Sequence, residues 1–214
     1  MTYNPNYHHQ INRRGGSRTA STEIHHRPFD AAHGRRSIRL RGYDYSQEGA
    51  YFITLNTRNR ECLFGDITDG EMLLNGFGEI VANEWIKTGE IRDEIELDAW
   101  VVMPNHFHGL VIIRRGTARR APTMEQFGKP VSGSIPTIVR SFKSAVTKRI
   151  NEIRKTPGAK LWQRNYYEHI IRNEKSLENI RNYIINNPAK WDEDENNLLR
   201  KAKGGPPQQI QPGG

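Results

Sequence analysis

Two apolar, β-branched runs, residues 95–103 and 106–113, are separated by nothing more than Pro104-Asn105. Proline fixes φ and asparagine tolerates turn geometry, so a connection this short can only reverse the chain and lay the runs side by side as antiparallel strands. Any fold open to this chain has to contain that hairpin. Residues 51–57 (Tyr-Phe-Ile-Thr-Leu-Asn-Thr) are rich in aromatic and β-branched side chains and read as another strand, as do residues 162–172. Residues 63–67 and 71–74 flank Asp69-Gly70 and read as a small hairpin. Three helical patterns fill the intervals. Residues 77–91 bring Ile80, Val81, Trp85 and Ile91 round at near-helical spacing. Behind Ser134, a capping candidate, Ile135, Ile138, Val139, Phe142, Val146 and Ile150 recur with helical period. Asn173 caps a third helix whose Leu177, Ile180 and Ile184 share one stripe, ended by Pro188.

With the small hairpin set aside, the order is strand, helix, strand, strand, helix, strand, helix. This is an α+β, ferredoxin-like βαββαβ arrangement: an antiparallel sheet with helices on one face, plus the extra β-hairpin and a C-terminal helix. The expected domain spans residues 42–191. Residues 1–41 mix five histidines and eight arginines with Gly and Ser and lack apolar periodicity, which predicts a disordered basic arm. Residues 192–214 read as a polar, then Gly/Pro-rich tail, and residues 114–133 as a long loop. No stretch is long and apolar enough for a membrane span. The single cysteine, Cys62, excludes an internal disulfide and suits a cytoplasmic setting.

Charge is segregated along the chain. Residues 61–98 carry eleven acids against two bases, whereas residues 114–164 carry thirteen bases against two acids. The second block includes Arg140, Lys143, Lys148 and Arg149 on the outer face of the second helix, and Arg164 beside Trp162, Tyr166 and Tyr167. Such a block is a candidate contact for a phosphate backbone.

The residues able to do chemistry are few. His106 and His108 alternate along a strand, so both imidazoles project from one face and Phe107 from the other. Tyr183 and Asn187 are four residues apart on the last helix and share one side of it. Two imidazoles, an amide oxygen and a phenol form a chemical unit if the helix reaches the strand. A cation on neutral ligands keeps its charge to polarise a phosphodiester, and a tyrosine can attack phosphorus. With no carboxylate among those ligands, Mg²⁺ or Mn²⁺ is expected to bind weakly until DNA oxygens complete the shell.

Three ordered blocks, Met103-Pro-Asn-His-Phe-His108, Trp162-Gln-Arg-Asn-Tyr-Tyr-Glu-His-Ile-Ile-Arg-Asn173 and Tyr183-Ile-Ile-Asn-Asn-Pro188, resemble those of the single-tyrosine HUH transposases, most closely the REP-associated tyrosine transposases. The resemblance implies a prokaryotic, nucleoid-associated enzyme that binds single-stranded or hairpin-forming DNA and cleaves and rejoins it. It implies His106, His108 and Asn187 as ligands of a divalent metal, and Tyr183 as the nucleophile that forms a 5′-phosphotyrosine. Related transposases often carry glutamine where this chain has Asn187. Some relatives are homodimers with composite sites, so the resemblance leaves monomer and dimer both open. Tyr166 and Tyr167 compete for the nucleophile's role, but neither is followed by an amide at helical spacing. His169 reads as a strand residue bonded to backbone or DNA. Two rival readings stand beside the transposase: a non-catalytic nucleic-acid-binding protein of the same fold, and a metallonuclease that uses water in place of tyrosine.

Overall fold

A computed structural model describes residues 43–114 and 131–198. The expected basic arm, most of the long loop and the end of the tail lie outside them. Six strands and three α-helices follow in the order β1 (Gly49–Asn56), β2 (Gly65–Thr68), β3 (Glu71–Leu74), α1 (Gly76–Glu90), β4 (Ile95–Met103), β5 (His106–Ile113), α2 (Ile135–Arg154), β6 (Tyr167–Ile171) and α3 (Glu174–Asn186). The main sheet has the order β4-β5-β1-β6, and every neighbouring pair is antiparallel. This is the interleaved sheet of the ferredoxin-like arrangement, with the helix between β1 and β4 and the helix between β5 and β6 each carrying the chain across an intervening strand. The separate β2–β3 hairpin turns at Asp69 and Gly70, whose φ values of 53° and 77° are the left-handed pair that a two-residue connection requires.

The two faces of the sheet are covered differently. Tyr51, Ile53 and Leu55 of β1 and Phe107 and Val111 of β5 point toward α1 and α2, where Trp85, Ile138, Phe142 and Val146 close the larger core. The alternate residues, Phe52 and Leu110, point the other way and meet Leu177 and Ile184 of α3, with Val101 and Met103 of β4. The C-terminal helix therefore lies on the face opposite α1 and α2. Its seat is reinforced by Arg181, whose Nε and Nη2 both bond the Asp98 carboxylate, the closest contact being 2.5 Å. Asp98 lies where the β4–β5 register shifts between Leu97 and Trp100, a β-bulge or irregularity in the ladder.

Local details depart from the sequence expectations. Ser134 occupies the first position before α2, yet its hydroxyl bonds Val131 O at 2.7 Å instead of capping the helix. Asn75 does cap α1, accepting from Phe77 N and Gly78 N. The helix ends at Glu90, leaving Ile91 exposed and outside the apolar stripe. The last strand is shorter than expected: Trp162 makes one isolated bridge to Thr57, and regular pairing with β1 begins only at Tyr167. Among the described residues, no helix is long and apolar enough to cross a membrane.

Candidate active site

The site is built outward from the β4–β5 turn. Asn105 is fully buried, and its amide nitrogen donates to Arg60 O at 3.1 Å and Asn196 O at 2.8 Å. Those two carbonyls fix the orientation of the carboxamide, so its oxygen faces His106 Nδ1 at 2.9 Å as an acceptor. His106 must then carry its proton on Nδ1, which leaves the Nε2 lone pair turned inward. His108 is held in a parallel way by Thr54 Oγ1, 2.8 Å from its Nδ1. The two imidazoles stand 4.6 Å apart at 71°, on one face of β5 as the alternation requires.

Burial keeps both rings neutral. The His106 pKa is pushed down by desolvation, against an opposing pull from Asp194 and Asn187 and with a smaller push from Arg60. His108 is driven well below the ordinary imidazole range by burial and then by its neighbour His106.

From above, α3 brings Tyr183 to this pair. Its hydroxyl lies 3.4 Å from His108 Nε2, and its ring meets both His108 and Phe52 edge-on. Unlike the buried imidazoles, Tyr183 is 46% exposed, so the phenol is open to a substrate. Asn187 follows at the end of the helix, buried, with its carboxamide near both His106 and Tyr183. The Tyr183 pKa is raised by burial first and by the negative charges of Asp194 and Glu195, while Asn187 works to lower it. The four residues proposed from the sequence thus come together within one chain.

Sequence reasoning missed a fifth. After α3 the chain forms a 3-10 helix, Pro188–Glu193, that carries Trp191 over the His106 ring at 5.9 Å. Asp194 follows, with Oδ2 3.9 Å from His106 Nε2. His106, His108 and Asp194 offer ligand atoms that all lie within 4.8 Å of one another. Asp194 lies in the stretch that the sequence reads as a polar tail, and the acidic run beginning at Asp192, directly after Trp191, is the signal it carries there. Its presence adds a carboxylate to the neutral donors expected from the sequence.

The residues present suit a divalent cation. His106 Nε2 and Asn187 Oδ1 are buried lone-pair atoms without a hydrogen-bond partner, and such atoms are costly unless something else satisfies them. Nitrogen, amide and carboxylate donors together suit Mg²⁺ or Mn²⁺ and also softer divalent ions.

The remaining candidates sit elsewhere. By the β1–β6 register Tyr167 and His169 share the histidines' face, whereas Tyr166 packs into the core on the other side. Burial, and then Arg172, lowers the His169 pKa. The basic residues of α2 belong to the opposite side of the sheet. There a cavity of about 760 Å³ is lined by Lys143, Lys148, Lys155, Lys160 and Arg164, with Glu152 the acid among them. Lys143 donates to Gln163 O at 2.6 Å, and burial lowers its pKa to about 8. Arg149 is engaged by Glu84 at 2.8 Å, and Arg140 is exposed.

No protein-family model matches the chain. An uncharacterized protein of Haemophilus influenzae strain Rd is 43% identical over 174 residues, covering 76% of this chain and 93% of that protein. A REP-associated tyrosine transposase of Escherichia coli strain K12 is 29% identical over 147 residues, 68% of this chain and 70% of its own. A solved structure of a REP-associated tyrosine transposase bound to a REP hairpin superimposes with a TM-score of 0.51 at 24% identity, covering 73% of this chain and 74% of that one, and shares its fold. The chain therefore belongs to one family with the Haemophilus influenzae protein and has REP-associated tyrosine transposases as distant homologues.

Proposed function

We propose that this protein is a metal-dependent endonuclease and transposase of single-stranded, hairpin-forming DNA, acting through Tyr183. The observation that carries the reading is the convergence of an exposed phenol on two buried, neutral imidazoles, with the Tyr183 hydroxyl 3.4 Å from His108 Nε2. Distant homology to REP-associated tyrosine transposases supports it, and palindromic repeat elements are the natural substrate class.

His106, His108 and Asn187, joined by Asp194, would hold the cation. Bound there, Mg²⁺ or Mn²⁺ would supply positive charge that polarises the scissile phosphodiester. The protein's own part is positional. Asn105 and Thr54 lock the imidazole orientations, and α3 aims the phenol at a phosphorus brought alongside. Tyr183 Oη forms the new bond to phosphorus while the bond from phosphorus to the 3′-oxygen breaks. The phenol proton passes to solvent, and the leaving oxygen takes up a proton to become a free 3′-hydroxyl. Attack of a 3′-hydroxyl on the 5′-phosphotyrosine reverses the step and rejoins DNA. Every group comes from one chain, which supports a site complete in a monomer. On the far side of the sheet, Lys143, Lys148 and Arg164 would contact backbone phosphates, with Arg140 and Arg149 at their margin.

The test is incubation of labelled hairpin-forming single strands with protein and Mg²⁺, followed by denaturing electrophoresis. A covalent protein–DNA adduct is expected, abolished in Tyr183→Phe and retained in Tyr166→Phe and Tyr167→Phe. An adduct that survives Tyr183→Phe overturns the assignment. Salt-sensitive binding with no adduct and no metal requirement identifies a non-catalytic binding protein, and cleavage with no attached protein identifies a water-using metallonuclease.

A further inference from the structure

Beside the candidate nucleophile lies an aromatic surface that the cleavage chemistry does not use. In the register of the sheet, Thr54 of β1 pairs with His108 on one side and Tyr167 on the other, so Tyr167 stands in the same row and on the same face as the histidine. Its ring meets Phe52 edge-on at 6.3 Å. Phe52 in turn stacks on His108 at 5.3 Å and takes the edge of Tyr183 at 6.0 Å. Phe52 is buried, but the two tyrosines flanking it are open, Tyr167 by 53%. β6 is an edge strand, so among the described residues no further strand covers that side.

A single exposed aromatic is ordinary. This one is not isolated: it continues a row of rings that ends at the phenol proposed to attack phosphorus. A ligand that delivers a phosphodiester to Tyr183 and also finds a free aromatic face must itself carry flat rings along a phosphate chain. Bases inside a duplex have both faces occupied, whereas an unpaired base has a face to offer, and any of the four can stack on a phenol. Resting on the reading of the site given above, we infer that Tyr167 is a stacking platform for an unpaired nucleobase flanking the phosphate presented to Tyr183. It acts by positioning the strand, and its ring, not its hydroxyl, does so.

The experiment uses the full chain carrying Tyr183→Phe, so that binding is read without cleavage. The probe is a DNA hairpin with single-stranded extensions in which 2-aminopurine replaces each unpaired base in turn. At one or two positions the fluorescence is expected to be quenched on binding. Tyr167→Leu, which keeps an apolar contact with Phe52 but has no π face, should abolish that quenching and weaken binding by about tenfold. Tyr167→Phe and Tyr167→Trp should retain both. Unchanged quenching and affinity in Tyr167→Leu overturn the inference, as does a Tyr167→Phe variant that behaves like the leucine one. If the Tyr183→Phe protein binds no hairpin at all, the nucleic-acid reading of the whole site falls and this inference falls with it.

Discussion

Asn105 ties two distant segments to one imidazole. Its amide donates to the chain at Arg60 and again at Asn196, and its oxygen receives His106 Nδ1. Replacing it by alanine removes the donor from two partly buried carbonyls and releases the tautomer of His106. Asn105→Ala is expected to cost about 1–3 kcal/mol in urea unfolding and to raise the Mg²⁺ concentration needed for adduct formation by roughly 10- to 100-fold. An unchanged metal requirement would remove Asn105 from any positioning role. The imidazoles themselves make stability depend on pH. Both are held below the ordinary histidine range by burial, so as pH falls through about 6.5 the unfolded chain takes up protons that the folded chain refuses. Stability is then fully present above that pH and declines on acidification by up to about 1.4 kcal/mol per pH unit for each ring. Urea unfolding of metal-free protein between pH 7.5 and 5 should show this slope, and His108→Gln should flatten it.

At the scale of elements, β5 serves two faces at once. Gly109 follows His108 but points to the opposite side, where an added Cβ would lie 2.7 Å from Trp85 Cζ2 and 2.8 Å from Phe107 Cε1. The missing side chain lets the indole of α1 lie directly on the strand that carries the histidines. Gly109→Ala should therefore destabilise the fold by about 1–3 kcal/mol through overpacking, measurable by thermal or urea unfolding. The elements themselves were largely legible: the Pro104-Asn105 turn, the Asp69-Gly70 hairpin and the three apolar stripes are local patterns with one geometric solution each. What was illegible depended on distant partners. Residues 163–166 resemble the strand that follows, yet Gln163 N bonds Asn56 O and Lys143 draws in the Gln163 carbonyl, so the segment joins the ladder only at Tyr167. For the candidate site, alternation put both imidazoles on one face and helical spacing joined Tyr183 to Asn187. Nothing periodic marked Asp194, because it reaches His106 through a 3-10 turn after the last helix.

Across the whole molecule, the sheet separates two kinds of surface. One face holds the imidazoles and phenol beneath α3, while on the other side Lys143 and Lys148 of α2, with Lys155, Lys160 and Arg164 from the chain that follows it, surround the cavity that also contains Glu152. Glu152 approaches Lys148 at 4.0 Å, both side chains largely exposed, so that pair contributes little. Five cations against one acid leave the cavity lining net positive, which favours uptake of an anion chain that can touch several of them. On the proposed function, a hairpin that meets Tyr183 with its strand end and passes the sheet edge would bring stem or flanking phosphates to this side. Lys148, Lys155 and Lys160 line the cavity away from the imidazoles, so replacing all three by glutamine tests the backbone contact without touching the chemistry. Binding of a labelled hairpin, followed by fluorescence anisotropy at several salt concentrations, should weaken at low salt and lose about 0.7–0.9 in the log–log salt slope for each phosphate contact removed. Adduct formation at saturating DNA should persist, because Tyr183 and the residues around it are unaltered. A slope identical to that of the parent protein would mean that the cavity touches no phosphate, and the DNA path would then have to remain on the tyrosine face alone.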